Sequence, residues 1–178
     1  MIAIPGFSTP AVGADAPLEM LSACHVRIER QCATLLRLAA HRAAHGIDDE
    51  VRQAATSVMR YFDLSAPNHH ADEERDLFPA LLESVAGSDA SCLRALIDGL
   101  SAEHRALEAG WRRVRAALVG ITEGDDTLWR ANEIEALVAL YERHIRCEEN
   151  ELLPMAARLL DDEVLAAIGQ AMAKRRGL

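Results

Sequence analysis

Aromatic residues make up only 4% of the 178-residue chain. Its core must therefore be built from Leu, Ala, Val and Ile, which suits helices better than an all-β sandwich. Positive charge is also scarce: 19 Lys and Arg stand against 28 Asp and Glu, a formal net charge of −9. That deficit argues against a nucleic-acid or anionic-membrane surface, both of which need a basic footprint. No apolar run approaches the ~20 residues of a membrane span. Residues 1–16 contain neither Lys nor Arg, so no secretory leader is expected and a cytoplasmic location is. The four cysteines, Cys24, Cys32, Cys92 and Cys147, form no C-x-x-C pair and sit inside helical patterns, as reduced packing thiols do. P-loop, G-x-S-x-G, Rossmann and zinc-type cysteine patterns are missing as well. What is there is enough chain for one core without disulfide or metal staples.

Residues 1–16 hold two prolines and two glycines without periodicity and read as an irregular arm. Asp15 is placed to cap, and Pro17 to open, a first helix with Leu18, Leu21, His25, Ile28, Cys32, Leu35 and Ala39 at helical spacing, stopped by Gly46. A second starts near Asp48 or Asp49 with Val51, Ala55, Val58 and Phe62 on one side. Ser65-Ala66-Pro67-Asn68 is expected to break or kink it, because the residue before Pro is pushed out of the helical region. After a turn at Gly87 to Asp89 comes the clearest stripe: Leu93, Ile97, Leu100, His104, Leu107, Trp111, Val114 and Leu118. A fourth helix follows with Ile134, Leu137, Tyr141, His144, Glu148, Leu152, Met155 and Leu159. A short last one, about 161–174, ends in basic residues and Gly177. The expected architecture is all-α: an antiparallel up-down-up-down four-helix bundle over 17–160, with a short extra C-terminal helix and tail over 161–178.

The chain also repeats itself. LSACHVRIE at 21–29 and LSAEHRALE at 100–108 share Leu-Ser-Ala-x-His-x-x-apolar-Glu, and HHADEERDLFPA from His69 matches HIRCEENELLPM from His144. Each half carries histidines with a glutamate four residues on: His25 and Glu29, His69 and Glu73, His104 and Glu108, His144 and Glu148. On a helix, positions i and i+4 share a face, so each pair presents an imidazole and a carboxylate to one point. A buried carboxylate is expensive unless paired or metal-bound, and several in one core repel one another. A pair of cations resolves that cost, and bundles hold two irons or manganeses with His and Glu from facing helices. His70, with Glu74 at i+4, competes with His69. Val58 and Phe62 favour the phase of His69, Leu77 and Leu81 that of His70. Aligning Pro79 on Pro154 decides for His69 and leaves His70 as a possible extra ligand.

These residues resemble the hemerythrin-like (HHE cation-binding) proteins: one histidine on the first helix, His-x-x-x-Glu-Glu with Leu-Phe-Pro on the second, one histidine on the third, and His-x-x-x-Glu-Glu with Leu-Leu-Pro on the fourth. The resemblance covers about 17–160. It implies a non-haem di-iron centre, two iron ions bridged by carboxylates and an oxo or hydroxo group, with His25, His69, Glu73, His104, His144 and Glu148 as metal ligands. It further implies binding or sensing of a small diatomic ligand (O2 or NO) or peroxide, or a part in iron-centre repair. Oxygen-carrying hemerythrins have a second histidine four residues after the third-helix one and an aspartate on the last helix. Glu108 and Glu148 stand there instead, which brings the set closer to the repair branch. The competing expectation is a metal-independent or zinc-stabilised helical interaction module. Glu29 and Glu108 are expected on the surface or behind the ligands. Glu74 and Glu149, about 100° round the helix from the ligands, are expected to face solvent or a neighbouring helix end. Tyr141 and Trp111 are expected to pack around the site.

Overall fold

The computed structural model describes residues 16–178, without the side chains of residues 88 and 89. Asp15 and nearly all of the expected arm lie outside the described residues. These are helical throughout apart from short connections, and contain no strand. Helix α1 (Pro17–His45) opens on Pro17 and ends at Gly46, whose N–H bonds the Arg42 carbonyl at φ 77°. Helix α2 (Asp49–Asp72) is capped by Asp48, whose side chain accepts from the Val51 N–H. A π-helical turn (Glu73–Leu77) joins it without interruption to α3 (Phe78–Ser84). Helix α4 (Ser88–Glu123) ends at Gly124, which adopts the left-handed conformation (φ 86°, ψ 13°). The chain then folds back tightly. A Cβ at Gly120 would lie 2.7 Å from the Asp125 carbonyl oxygen, so only glycine fits there. Helix α5 (Ala131–Cys147) passes through a second π-helical turn (Glu148–Leu152) into α6 (Leu153–Leu159), and α7 (Asp162–Arg175) is capped by Asp161. No helix among the described residues is long and apolar enough to cross a membrane.

The expected break at Pro67 does not occur: α2 runs through it. Pro67 lies on the exposed side of the helix, while Phe62, Ala66, His69 and His70 are buried on the other. The carbonyl that loses its donor therefore faces water, and the inner face packs on undisturbed. Pro67→Ala restores that bond and is expected to stabilise the protein by about 1–3 kcal/mol, read as a higher urea midpoint with an unchanged slope.

The irregularity lies a turn later, and it recurs. In both π turns the bond skips a residue: the Phe78 N–H reaches the Glu73 carbonyl, and the Leu153 N–H reaches that of Glu148. Pro79 and Pro154 follow each turn by two residues and have no N–H to continue the ladder. The extra residue slips the inward face by one position, so Glu73, Leu77, Phe78 and Leu81 are all buried, as are Glu148, Leu152, Leu153 and Ala156. That slip explains why Val58 and Phe62 share a phase with His69 whereas Leu77 and Leu81 do not.

Helices α1, α2, α4 and α5 pack in a ring, each against two neighbours. Their apolar side chains form two clusters. One includes Ile28, Leu35, Phe62, Leu107, Val114 and Tyr141; the other includes Leu21, Leu77, Leu81, Leu100, Leu152 and Ala156. On every rod the buried histidines fall where the chain crosses from one cluster to the other: Leu21–His25–Ile28, Phe62–His69–Leu77, Leu100–His104–Leu107 and Tyr141–His144–Leu152. A polar layer is thereby sandwiched between two dry slabs. Helix α7 lies against α1, α2 and the first π turn. The basic end expected merely to finish a helix does more: Arg175 and Arg176 both clamp the buried Asp72 carboxylate, and Arg175 Nη2 also bonds Asp76 at 2.7 Å.

Candidate metal centre

The polar layer consists of His25, His69, His70, Glu73, His104, His144 and Glu148, none more than 6% exposed. All six sequence-expected ligands meet there. Glu29 and Glu108 are exposed on the helix surface. The donor atoms fall into two four-residue groups, His25, His69, Glu73 and Glu148, and Glu73, His104, His144 and Glu148, each gathered within 4.8 Å. The same two carboxylates belong to both.

Contacts between donors are close and regular. His25 Nε2 lies 3.0 Å from Glu148 Oε2, and His69 Nε2 lies 3.4 Å from Glu73 Oε1. His104 Nε2 is 3.2 Å from Glu73 Oε2 and 3.1 Å from His144 Nε2, which is itself 3.2 Å from Glu148 Oε1. Donors at right angles about one ion, each about 2.1 Å from it, stand about 3 Å apart. Both oxygens of Glu73 and of Glu148, and both ring nitrogens of His69, have no hydrogen bond of proper geometry among the described residues. Buried polar atoms are almost always satisfied, and here a cation is the partner that would satisfy them. The donor set, nitrogen and carboxylate oxygen without thiolate, suits iron or another borderline divalent metal.

An outer ring of carboxylates fixes the imidazoles. The Nδ1–H of His25 donates to Glu149 Oε1 at 2.5 Å, that of His104 to Glu74 Oε1 at 2.8 Å, and that of His144 to Glu103 Oε2 at 3.0 Å. A carboxylate on Nδ1 turns the Nε2 lone pair inward and raises its basicity, the usual support of a metal-bound histidine. Glu74 and Glu149, expected to face solvent or a neighbouring helix end, are about 38% exposed and bonded to the histidine of the opposite half. The second glutamate of each His-x-x-x-Glu-Glu was the available sign of this. Glu103, next to His104 in sequence, has no equivalent before His25, where Cys24 stands.

The electrostatics follow from burial against close charge. Burial works against the imidazolium form, but Glu148 and its neighbours overcome it, raising His25 to about 9; Glu148 and Glu73 raise His104 to about 10. His144 is also raised, by Glu148. His69 and His70 are held neutral chiefly by burial, His70 at about 3. Burial and the nearby Glu148 push Glu73 up to about 7, while Glu148, embraced by His104, His144 and His25, stays anionic.

Residues 16–156 match the sequence model of the hemerythrin HHE cation binding domain. The chain belongs to the hemerythrin HHE family. It is also 32% identical over 162 residues, 91% of each chain, to an uncharacterised protein of Haemophilus influenzae. Metal binding is the property this family describes, and the buried His and Glu groups could hold a metal.

Within an HHE centre of this geometry, inner and outer groups should differ in effect. His104→Ala removes a donor nitrogen from one four-residue group and is expected to abolish metal binding by that group. Glu74→Ala only frees the Nδ1 of that ring and is expected to weaken metal affinity about 10- to 100-fold. Metal per chain by mass spectrometry after gel filtration separates the two, and equal occupancy would contradict the assignment.

Proposed function

We propose that this HHE protein carries two iron ions and uses them to bind or sense O2, NO or peroxide, or to take part in iron-centre repair. The reading rests on one observation above the rest: two groups of four buried donors share Glu73 and Glu148, as two adjacent ions bridged by carboxylates require. His25 and His69 would serve one ion and His104 and His144 the other. The alternating order of the apolar clusters along α1, α2, α4 and α5 supports the antiparallel up-down-up-down arrangement in which facing helices supply both ions. When bound, iron supplies Lewis acidity and reversible electron transfer at the middle of the bundle. The chain's own part is to orient the imidazoles of His25, His104 and His144 through Glu149, Glu74 and Glu103, to neutralise charge with two carboxylates, and to keep bulk water out with the slabs around Phe62 and Leu77. The acidic surface and the lack of a membrane-spanning helix among the described residues fit a cytoplasmic protein acting on small molecules.

Metal analysis of protein from iron-supplemented cells is the test. Near two irons per chain, with near-ultraviolet absorption that shifts on adding NO, peroxide or azide, is the expected result. Colourless protein with negligible iron, whose melting temperature ignores a chelator, would instead leave the metal-independent module; zinc alone at the site would favour the zinc-stabilised one.

A further inference from the structure

His70 is the one member of the polar layer that the six-ligand set leaves without work. It is 6% exposed, and both its ring nitrogens are buried without a hydrogen-bond partner among the described residues. An unpartnered imidazole in a dry layer is unfavourable unless something takes up its lone pair. Its donor atom lies within 4.8 Å of donors on His104 and His144, forming a third group of candidate ligands.

Ring positions carry the argument further. A ring bound about 2.1 Å from an ion has its centre about 3.2 Å away, so rings at right angles on one ion have centres about 4.5 Å apart and opposed rings about 6.4 Å. The pair His25 and His69 stands at 4.7 Å, and His104 and His144 at 4.8 Å, both at the right-angle value. His70 stands 4.0 Å from His104 and 6.2 Å from His144. Those separations place it beside His104 and nearly opposite His144 around a single point. Simple stacking on His104, at an interplanar angle of 12°, would not fix the distance to His144.

We infer that His70 is a seventh protein ligand, so that the ion held by His104 and His144 takes three imidazoles and the ion held by His25 and His69 takes two. The inference rests on the two-metal reading above. It makes the halves of a duplicated sequence chemically unequal, because the position matching His70 in the second half is Ile145, which is buried in the apolar cluster.

Cobalt(II) is the probe. It is paramagnetic, and each imidazole bound to it gives a strongly shifted, solvent-exchangeable ring N–H proton signal. In the full-length protein loaded with two cobalt ions, five such signals are expected, from His25, His69, His70, His104 and His144. His70→Leu, which fills similar space without a nitrogen, is expected to show four and to bind one of its two cobalt ions at least about tenfold more weakly. Two bound ions with four signals in the unsubstituted protein would overturn the inference while leaving the dinuclear reading intact, and that count does not depend on the variant folding. Five signals persisting in His70→Leu would overturn it equally. Failure of the unsubstituted protein to bind cobalt or iron would overturn both readings.

Discussion

Glu148→Gln is expected to empty both halves of the centre, lowering metal content at least about tenfold relative to the unsubstituted protein. The residue belongs to both four-donor groups and touches imidazoles from three helices, His25, His104 and His144. Glutamine keeps the shape but supplies no charge and cannot bridge two cations as an anion. Any bundle holding its metals independently would lose one ion and keep the other, so a clean fall to one metal per chain would contradict a shared carboxylate. Glu29→Gln is the matching control: it too lies four residues after a buried histidine, but it is exposed, and its metal content should stay at the unsubstituted level. The Glu148 variant should also change the metal-free protein. His25 and His104 lose the anion that keeps them protonated, and His144 the one that raises it, and breaking a buried charge cluster from one side costs about 3–5 kcal/mol. A lower melting temperature in the presence of chelator, together with metal loss, separates this residue from one that acts on metal alone.

How much of this was open to sequence reasoning depends on whether a residue's role is fixed within its own helix. His25, His104 and His144 sit in apolar stripes of period 3.6, and the duplication shows them to be related, so the rods and their inward histidines follow from local spacing. Glu73 and Glu148 follow likewise, being one turn from a histidine on the same face. Glu74, Glu149 and Glu103 do not, because a side chain 100° away from the inward face is set by whichever helix packs beside it. Only the packed bundle shows that Glu149 reaches His25 and Glu74 reaches His104. The clamp of Arg175 and Arg176 on Asp72 is hidden for the same reason, spanning more than a hundred residues of sequence. The π turns were hidden differently. Their trace was visible as a conflict of phase around His69 and His70, and Pro67 was the nearer suspect, but the prolines that matter are Pro79 and Pro154, beyond the slip. The repeat singled out His69 where the helical period was divided between His69 and His70, both of which are buried in the layer, since aligning those prolines counts residues and is indifferent to how tightly the helix is wound.

Raising the pH from 7 to 10 is expected to destabilise the metal-free protein and to tighten its grip on metal over the same range. In the unfolded chain His25 and His104 release their protons near 6.5, whereas in the folded protein they hold them to about 9 and about 10. Below 6.5 both states carry the protons and the full stabilisation is present. Above it only the folded state does, so stability falls as pH climbs through 9 and 10. Cys32, pushed up to about 12 by burial, adds to the fall in the same direction, because its thiol ionises first in the unfolded chain. Glu73, raised from 4.5 to about 7, contributes fully below 4.5 and loses that contribution as pH climbs through 7, so its sign is the same. Metal reverses the dependence. A histidine binds a cation through its neutral form, so loading at pH 7 must expel protons from His25 and His104, and each displaced proton makes the apparent affinity about tenfold stronger per pH unit. With two protons displaced, affinity should rise about a hundredfold between pH 7 and 8, and the melting-temperature gap between loaded and metal-free protein should widen steadily toward pH 9. In Glu148→Gln the anion that raises both histidines is gone, and the metal-free protein should lose much of this slope. A metal-free melting temperature that rises from pH 7 to 10, or a metal affinity flat across it, would show that the imidazoles of the polar layer are already neutral at pH 7 and that the carboxylates alone balance the incoming cations.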